Sequence, residues 1–347
     1  MDKETRDMLL ETAGRFFTER CDRAVVNNVE KGIWPKDLWK EIEEMGLPLI
    51  AVGEDKNGVG GTLADMLALL RLAGEHAVPV PLAETALSNL LIGAAGGTPK
   101  PGPATLVLGD LKLSGNRLGG KVARVPFASV AERFVAVVDR TLVVVAASNA
   151  KVDSTPSHAG EPYGTVTFDN ATAEFTGASA ASAERAFELA AVMRAMQMAG
   201  AADKVLATAV EYSKQRVQFG RAISTFQAIQ HMLAELASCV AATIASAEAA
   251  ARDADEGGLE AGGRFSIAAA KSQCSDFAHR IAAISHQSMG AMGFTHEHIL
   301  HHYTRRLWVW RRDFGSESYW GEKIGMAYAK AGPDKLWEGL SASRYPA

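Results

Sequence analysis

Two apolar stripes constrain this chain most. Ile229, Met232/Leu233, Leu236, Val240 and Ile244 form the first, and Ile267, Ala270, Cys274, Phe277, Ile281 and Ile284 the second. Both return at helical spacing, the second close to a heptad. Together with the alanine-rich run Leu189–Val210 they predict long antiparallel helices of a bundle, starting near Ser182. The polar, glycine-rich stretch Asp253–Gly263 connects two of them.

The helical period is absent from the middle of the chain. After the Pro/Gly linker Gly97–Pro103 come short β-branched or alternating runs: Thr105–Leu108, Leu111–Leu113, Val122–Val125, Phe134–Val138, Leu142–Ala146 and Thr165–Phe168. They predict a small antiparallel β unit. Before it, Leu9, Phe16 and Phe17, then Leu38-Trp39-Lys-Glu-Ile42, Leu63–His76 and Pro81–Gly93, read as helices interrupted by the glycine-rich loop Gly53–Gly61. The expected fold class is α+β, mainly α: an N-terminal helical domain (1–100), a small β domain (101–178) and a C-terminal helical bundle (179–347).

At 347 residues the chain has room for such a multi-part core without staples. Its net charge of −4 argues against nucleic acid as partner. Three scattered cysteines suit a reducing compartment better than a disulfide framework. The charged start and the lack of a long apolar window predict a cytoplasmic chain that does not enter a membrane.

Between the bundle helices lies Lys214–Glu235, KQRVQFGRAISTFQAIQHMLAE. A guanidinium offers phosphate oxygens a rigid fork of donors, and a glycine beside it lets backbone approach a ligand closely. Arg216, Gln218, Phe219 and Gly220, followed by Phe226-Gln227, form a glycine elbow that the building of a hydrophobic core does not demand.

Arg216-x-x-Phe219-Gly220 with Phe226-Gln227-x-x-Gln230, and Gln287-x-x-Gly290-Ala291-x-Gly293-Phe294, stand in the order seen in the acyl-CoA dehydrogenase family. The chain resembles that family over nearly its whole length, with a four-helix bundle at its C-terminal end. The resemblance implies FAD shared at a subunit interface. Arg216 would reach the pyrophosphate of FAD held mainly by a neighbouring subunit, and Gln287 its ADP half. Gln218, Phe219, Gln227, Gly290, Ala291 and Ser316 are the remaining candidate contacts. Ala291 departs from the family's second glycine.

Two features of the family are missing. Its usual base is a glutamate just before a late glycine; here Phe314 precedes Gly315, and phenylalanine accepts no proton. Where some relatives carry the glutamate on an earlier helix, this chain has Ala190, and Glu188 is rotated by about 200° from it. Asp313 and Glu317 are the candidates for a displaced base; otherwise Asp313 reads as a surface partner of Arg311/Arg312. Between Pro101 and Lys121 there is no T-E-x-x-x-G-S-D segment to seat the flavin ring.

These losses predict a short subunit of an α2β2 acyl-CoA dehydrogenase of bacterial steroid or related degradation. A full-length sister subunit would supply base and ring seat, with acyl-CoA as substrate and, by resemblance, an electron-transfer flavoprotein as acceptor. The alternatives are a complete homo-oligomeric enzyme using Asp313 or Glu317, and a non-catalytic scaffold.

No metal site is expected. After His296-Glu297 a zinc helix needs histidine at 300, which is Leu300. His298 and His302 are spaced to share a helical face but have no third ligand, and His301/His302 read as interface or solvent residues. Arg305, Arg306, Arg311 and Arg312, interleaved with Trp308 and Trp310, read either as a subunit contact or as partners of CoA phosphates.

Overall fold

A computed structural model describes residues 1–346. In chain order the elements are α1 (Lys3–Arg20), α2 (Arg23–Glu30), α3 (Lys36–Glu44), α4 (Leu63–Glu75) and α5 (Leu82–Ala94). Eight strands follow: β1 (Ala104–Leu106), β2 (Leu111–Ser114), β3 (Arg117–Pro126), β4 (Arg133–Val138), β5 (Thr141–Ala146), β6 (Lys151–Pro156), β7 (Pro162–Thr172) and β8 (Phe175–Ala178). Then come α6 (Ala183–Gln215), β9 (Val217–Gln218), β10 (Arg221–Ala222), α7 (Gln227–Gly257), α8 (Arg264–Met289), α9 (Leu300–Trp310), α10 (Glu317–Ala331) and α11 (Leu336–Ser341). The helical, β, helical order read from the sequence is therefore present.

The chain divides into two compact units. The first comprises residues 1–70, 78–190 and 254–262. Asp2 and Asp22 cap α1 and α2, their carboxylates accepting from the N–H groups of Thr5 and Val25. Helix α5 is buried on nearly every side, and the Thr85 hydroxyl both donates to the Ala104 carbonyl (3.0 Å) and accepts from its N–H (3.1 Å), fixing the entry to β1.

The β part holds eight strands where six runs were read, and it is less uniform than expected. It holds two four-stranded sheets, β1-β4-β5-β8 and β2-β3-β7-β6. Phe134 of β4 meets Phe168 of β7 edge to face at 5.9 Å inside their common core with Val143, Val145 and Val166. The expectation of a purely antiparallel unit is corrected by β1, which pairs parallel with β4. The chain leaves for the other sheet through β2 and β3 before returning, so the pair has the long crossover that parallel strands require. Strands β6 and β8 carried no signal, because β6 exposes almost every side chain and β8 buries none fully.

The second unit comprises residues 71–77, 191–253 and those from Gly263 onward. Here α4 crosses α6 through two glycines. A side chain on Gly74 would strike the Gln197 carbonyl, and one on Gly200 would strike the Arg71 carbonyl. Arg71 adds an ion pair to Asp203 at 2.8 Å.

Helix α7 departs from the sequence expectation. It is long and apolar enough by composition to cross a membrane, yet most of its apolar window is not buried within the chain. Alanine supplies much of that apolarity while covering little area, which is why no long run of large residues shows in the sequence.

Candidate functional site

The sequence-predicted cofactor residues lie in the second unit. Helix α6 ends at Gln215, and the chain reverses through the two-stranded ribbon β9–β10, in which Gln218 pairs with Arg221 and Val217 with Ala222. Phe219 at φ 53° and Gly220 at φ 80° make the turn, and Phe219 is 93% exposed. A left-handed φ is uncommon for an aromatic residue, and here the turn sets the ring in water. Phe226 steadies it edge-on at 6.1 Å.

Arg216 is exposed and has no ion pair or side-chain hydrogen bond among the described residues. Gln218 bends back to donate to the Val217 carbonyl at 2.7 Å, and Gln227 is exposed at the first turn of α7. A Cβ on Gly220 or Gly290 would meet nothing within 4 Å, so both present open backbone.

Gln287 is exposed in the last turn of α8, which ends at Gly290 with φ 61°. Ala291 lies in the 3-10 helix Gly290–Phe294, and the Phe294 ring is 71% exposed and stacks on His286 at 4.7 Å. Burial lowers the His286 pKa, opposed by a backbone hydrogen bond involving Gly293, and its Nε2 meets the Thr304 hydroxyl at 3.0 Å. Tyr212, one turn before Arg216, meets His298 edge to face at 6.1 Å, tying the end of α6 to the segment after Gly290. Unengaged guanidinium and amide donors beside open glycines are a donor set that fits an anionic dinucleotide.

The base candidates sit elsewhere. The turn Arg311–Ser316 joins α9 to α10, with Phe314 at its apex at φ 53° and Gly315 at φ 94°. A Cβ on Gly315 would lie 2.5 Å from Trp320 Nε1, which donates to the Phe314 carbonyl at 3.0 Å. Ser316 caps α10, accepting from the Tyr319 N–H.

Asp313 is not the surface partner of Arg311/Arg312 expected from sequence. It is buried and pairs with Arg194 of α6, Nε to Oδ2 at 3.3 Å. The Arg194 guanidinium also donates to Gln197 Oε1 at 2.5 Å and sits 5.2 Å from the Trp310 ring and 5.6 Å from the Phe314 ring. Glu317 is bound to Arg311. Burial pushes its carboxyl up, but the Arg311 hydrogen bond, its own backbone and the charges of Arg311 and Lys271 outweigh that and hold it below the usual value. Both carboxylates are thus engaged by arginines of their own chain.

Lys271 of α8 is wholly buried and reaches both ends of the turn. Its ammonium donates to the Arg311 carbonyl (3.0 Å), the Gly315 carbonyl (2.7 Å) and the Ser275 hydroxyl (2.9 Å), which uses its three protons. Burial pulls its pKa down to about 7, with Asp313 opposing. Sequence reading missed both Lys271 and Arg194. The available signal was a charge set within an apolar helical stripe.

Glu188, discounted from its helical phase, is buried against Arg185 at 3.4 Å, and Ala190 is buried. Two histidine readings are corrected. His298 lies in a bend before α9, so it shares no helical face with His302, and His301 and His302 are buried rather than solvent-facing. The elbow and the turn are far apart: along α6, Arg194 and Arg216 are separated by about 33 Å.

Residues 3–98 match the family model for the acyl-CoA dehydrogenase N-terminal domain and residues 179–327 that for the C-terminal domain. The chain belongs to the acyl-CoA dehydrogenase family. It is 29% identical over 313 residues to acyl-CoA dehydrogenase IpdE2 of Mycobacterium tuberculosis, covering 87% of this chain and 91% of that one. It is 32% identical to FadE34 of the same organism, covering 89% of this chain but 45% of that longer one. Among solved structures, the ChsE4-ChsE5 complex from Mycobacterium tuberculosis superposes with a TM-score of 0.86 at 19% identity, over 96% of this chain and 99% of the matched one. The Tcur3481-Tcur3483 steroid ACAD variant gives 0.84 at 23%, over 97% and 99%. Family membership implies FAD as cofactor and an oxidoreductase of this kind.

Proposed function

We propose that this chain is the short subunit of an FAD-dependent acyl-CoA dehydrogenase whose reaction site is completed by a longer sister chain. The α,β-dehydrogenation of an acyl thioester needs a carboxylate to take the α proton, while bound flavin accepts hydride from the β carbon. The observation that carries the reading is the contrast between the elbow that follows α6 and the turn that packs on Arg194 of the same helix. At the elbow, the cofactor donors Arg216 and Gln287 are unengaged by their own chain. At the turn, Phe314 stands in the base position, and Asp313 and Glu317 are committed to Arg194 and Arg311. Strands β1 and β2 are joined by residues 107–110 alone, with no segment there to seat a flavin ring.

In this reading the elbow grips the pyrophosphate of FAD held mainly by the sister chain, with Gln218, Phe219, Gln227, Gly290 and Ala291 lining the contact. One FAD serves each pair of chains. Steroid-derived or related acyl-CoA is the substrate, an electron-transfer flavoprotein the acceptor, and the cytoplasm the location. Ser316, which caps α10 beside the Phe314 turn, is the remaining proposed contact.

The test is purification of the tagged chain with its co-purifying protein, followed by flavin analysis per chain. One flavin for two chains, lost on Arg216→Ala, supports the proposal. Retention of flavin by Arg216→Ala favours a scaffold role. Tight FAD binding with dehydrogenation by this polypeptide alone overturns it.

A further inference from the structure

The elbow carries a second arginine that sequence reading passed over. In the β9–β10 ribbon Arg221 stands directly opposite Gln218, and the Ile223 N–H donates to the Arg216 carbonyl at 2.8 Å. Directly paired residues share a face of a ribbon, as do alternate residues along a strand. Gln218 and Arg221 therefore share one face, with Val217 and Ala222 on the other, and Arg216 directly precedes β9.

The Arg221 guanidinium lies over the Phe226 ring, 4.2 Å from its centroid. Stacking on an aromatic face uses the π surface of the guanidinium and leaves its N–H edge for in-plane acceptors. It also removes rotamer freedom before any ligand arrives. No carboxylate pairs with Arg216 or Arg221 among the described residues. Two unpaired guanidinium groups at one elbow, one of them held by a ring, call for an acceptor with two adjacent anionic centres.

We propose that Arg221 is a second phosphate-gripping residue of the elbow, holding with Arg216 the diphosphate of a dinucleotide bound across the subunit contact. This rests on the cofactor reading of the elbow given above. Phe226 thereby acts as a positioning residue, through Arg221.

The test uses the complex that co-purifies with the tagged chain, comparing wild type, Arg221→Gln, Arg221→Lys and Arg216→Ala. Flavin release after dilution is followed by fluorescence, and assembly by size exclusion. Arg221→Gln is expected to speed flavin release by about 10-fold or more and to flatten its dependence on salt, with the two chains still together. Arg221→Lys, which restores charge but not the flat fork, is expected to fall between. Wild-type release from Arg221→Gln, alongside flavin loss from Arg216→Ala, overturns the role of Arg221 and leaves the elbow reading standing. Separation of the chains by Arg221→Gln with flavin retained on the partner also overturns it, since Arg221 then grips protein. If neither Arg216→Ala nor Arg221→Gln moves the flavin, the elbow reading fails and takes this inference with it.

Discussion

Arg194 and Asp313 form an ion pair at 3.3 Å in which both side chains are almost without exposure. It joins the helix leading to the elbow with the turn where the family keeps its base. A carboxylate bound in this way serves structure, and a buried pair is costly to break from one side because the survivor keeps its charge.

Asp313→Asn is therefore expected to destabilise the protein by about 3 kcal/mol while leaving turnover per folded complex unchanged. Urea denaturation and specific activity of the assembled enzyme measure the two effects. Abolished turnover at unchanged stability would restore Asp313 as the base.

Lys271 makes stability depend on pH. Its folded pKa is lowered from 10.5 to about 7, so between those values the unfolded chain binds a proton that the native chain does not. Stability from this group is lowest below pH 7 and rises from there toward 10.5, by roughly 1.4 kcal/mol per pH unit. The groups facing the ammonium are Arg194 on α6, Cys274 on α8, Asp313 in the turn and Glu317 on α10. Lys271→Met should remove this component. Denaturation midpoints of both proteins at about pH 6.5 and 9 test it, and parallel slopes would contradict the assignment.

Restoring a carboxylate at position 314 is expected not to restore catalysis. Arg194 lies 5.6 Å from the Phe314 ring, so the carboxylate of Phe314→Glu would lie near a cation and be held as a weak base. The isolated variant should show no dehydrogenation of acyl-CoA thioesters above background from about pH 6 to 9. Turnover after this single change would mean that the chain carries everything else a complete enzyme needs.

The fold was legible where burial follows a period. The stripes from Ile229 and Ile267 became α7 and α8, and Phe134 and Phe168 lie in strands and in the core. Strand direction was not legible, because alternation in Thr105–Leu108 records which face is buried and says nothing of parallel pairing with Arg133–Val135. Within the proposed site, sequence spacing singled out Arg216, which the structure leaves exposed at the elbow, and Phe314, which it sets in the turn before Gly315. It missed the partners of Asp313, since Arg194 and Lys271 come from helices distant in sequence. It also missed Arg221, whose meaning depends on a ribbon register that pairs it with Gln218.

The glycine crossing of α4 and α6 sets a rule for how this lineage can drift. Gly74 rests against the Gln197 carbonyl and Gly200 against that of Arg71, so each obstacle is main chain, which every amino acid possesses. No exchange of neighbouring side chains can make room for a methyl group at either position. Descendants that keep this helix crossing must keep both glycines, however far the elbow and the turn diverge around them.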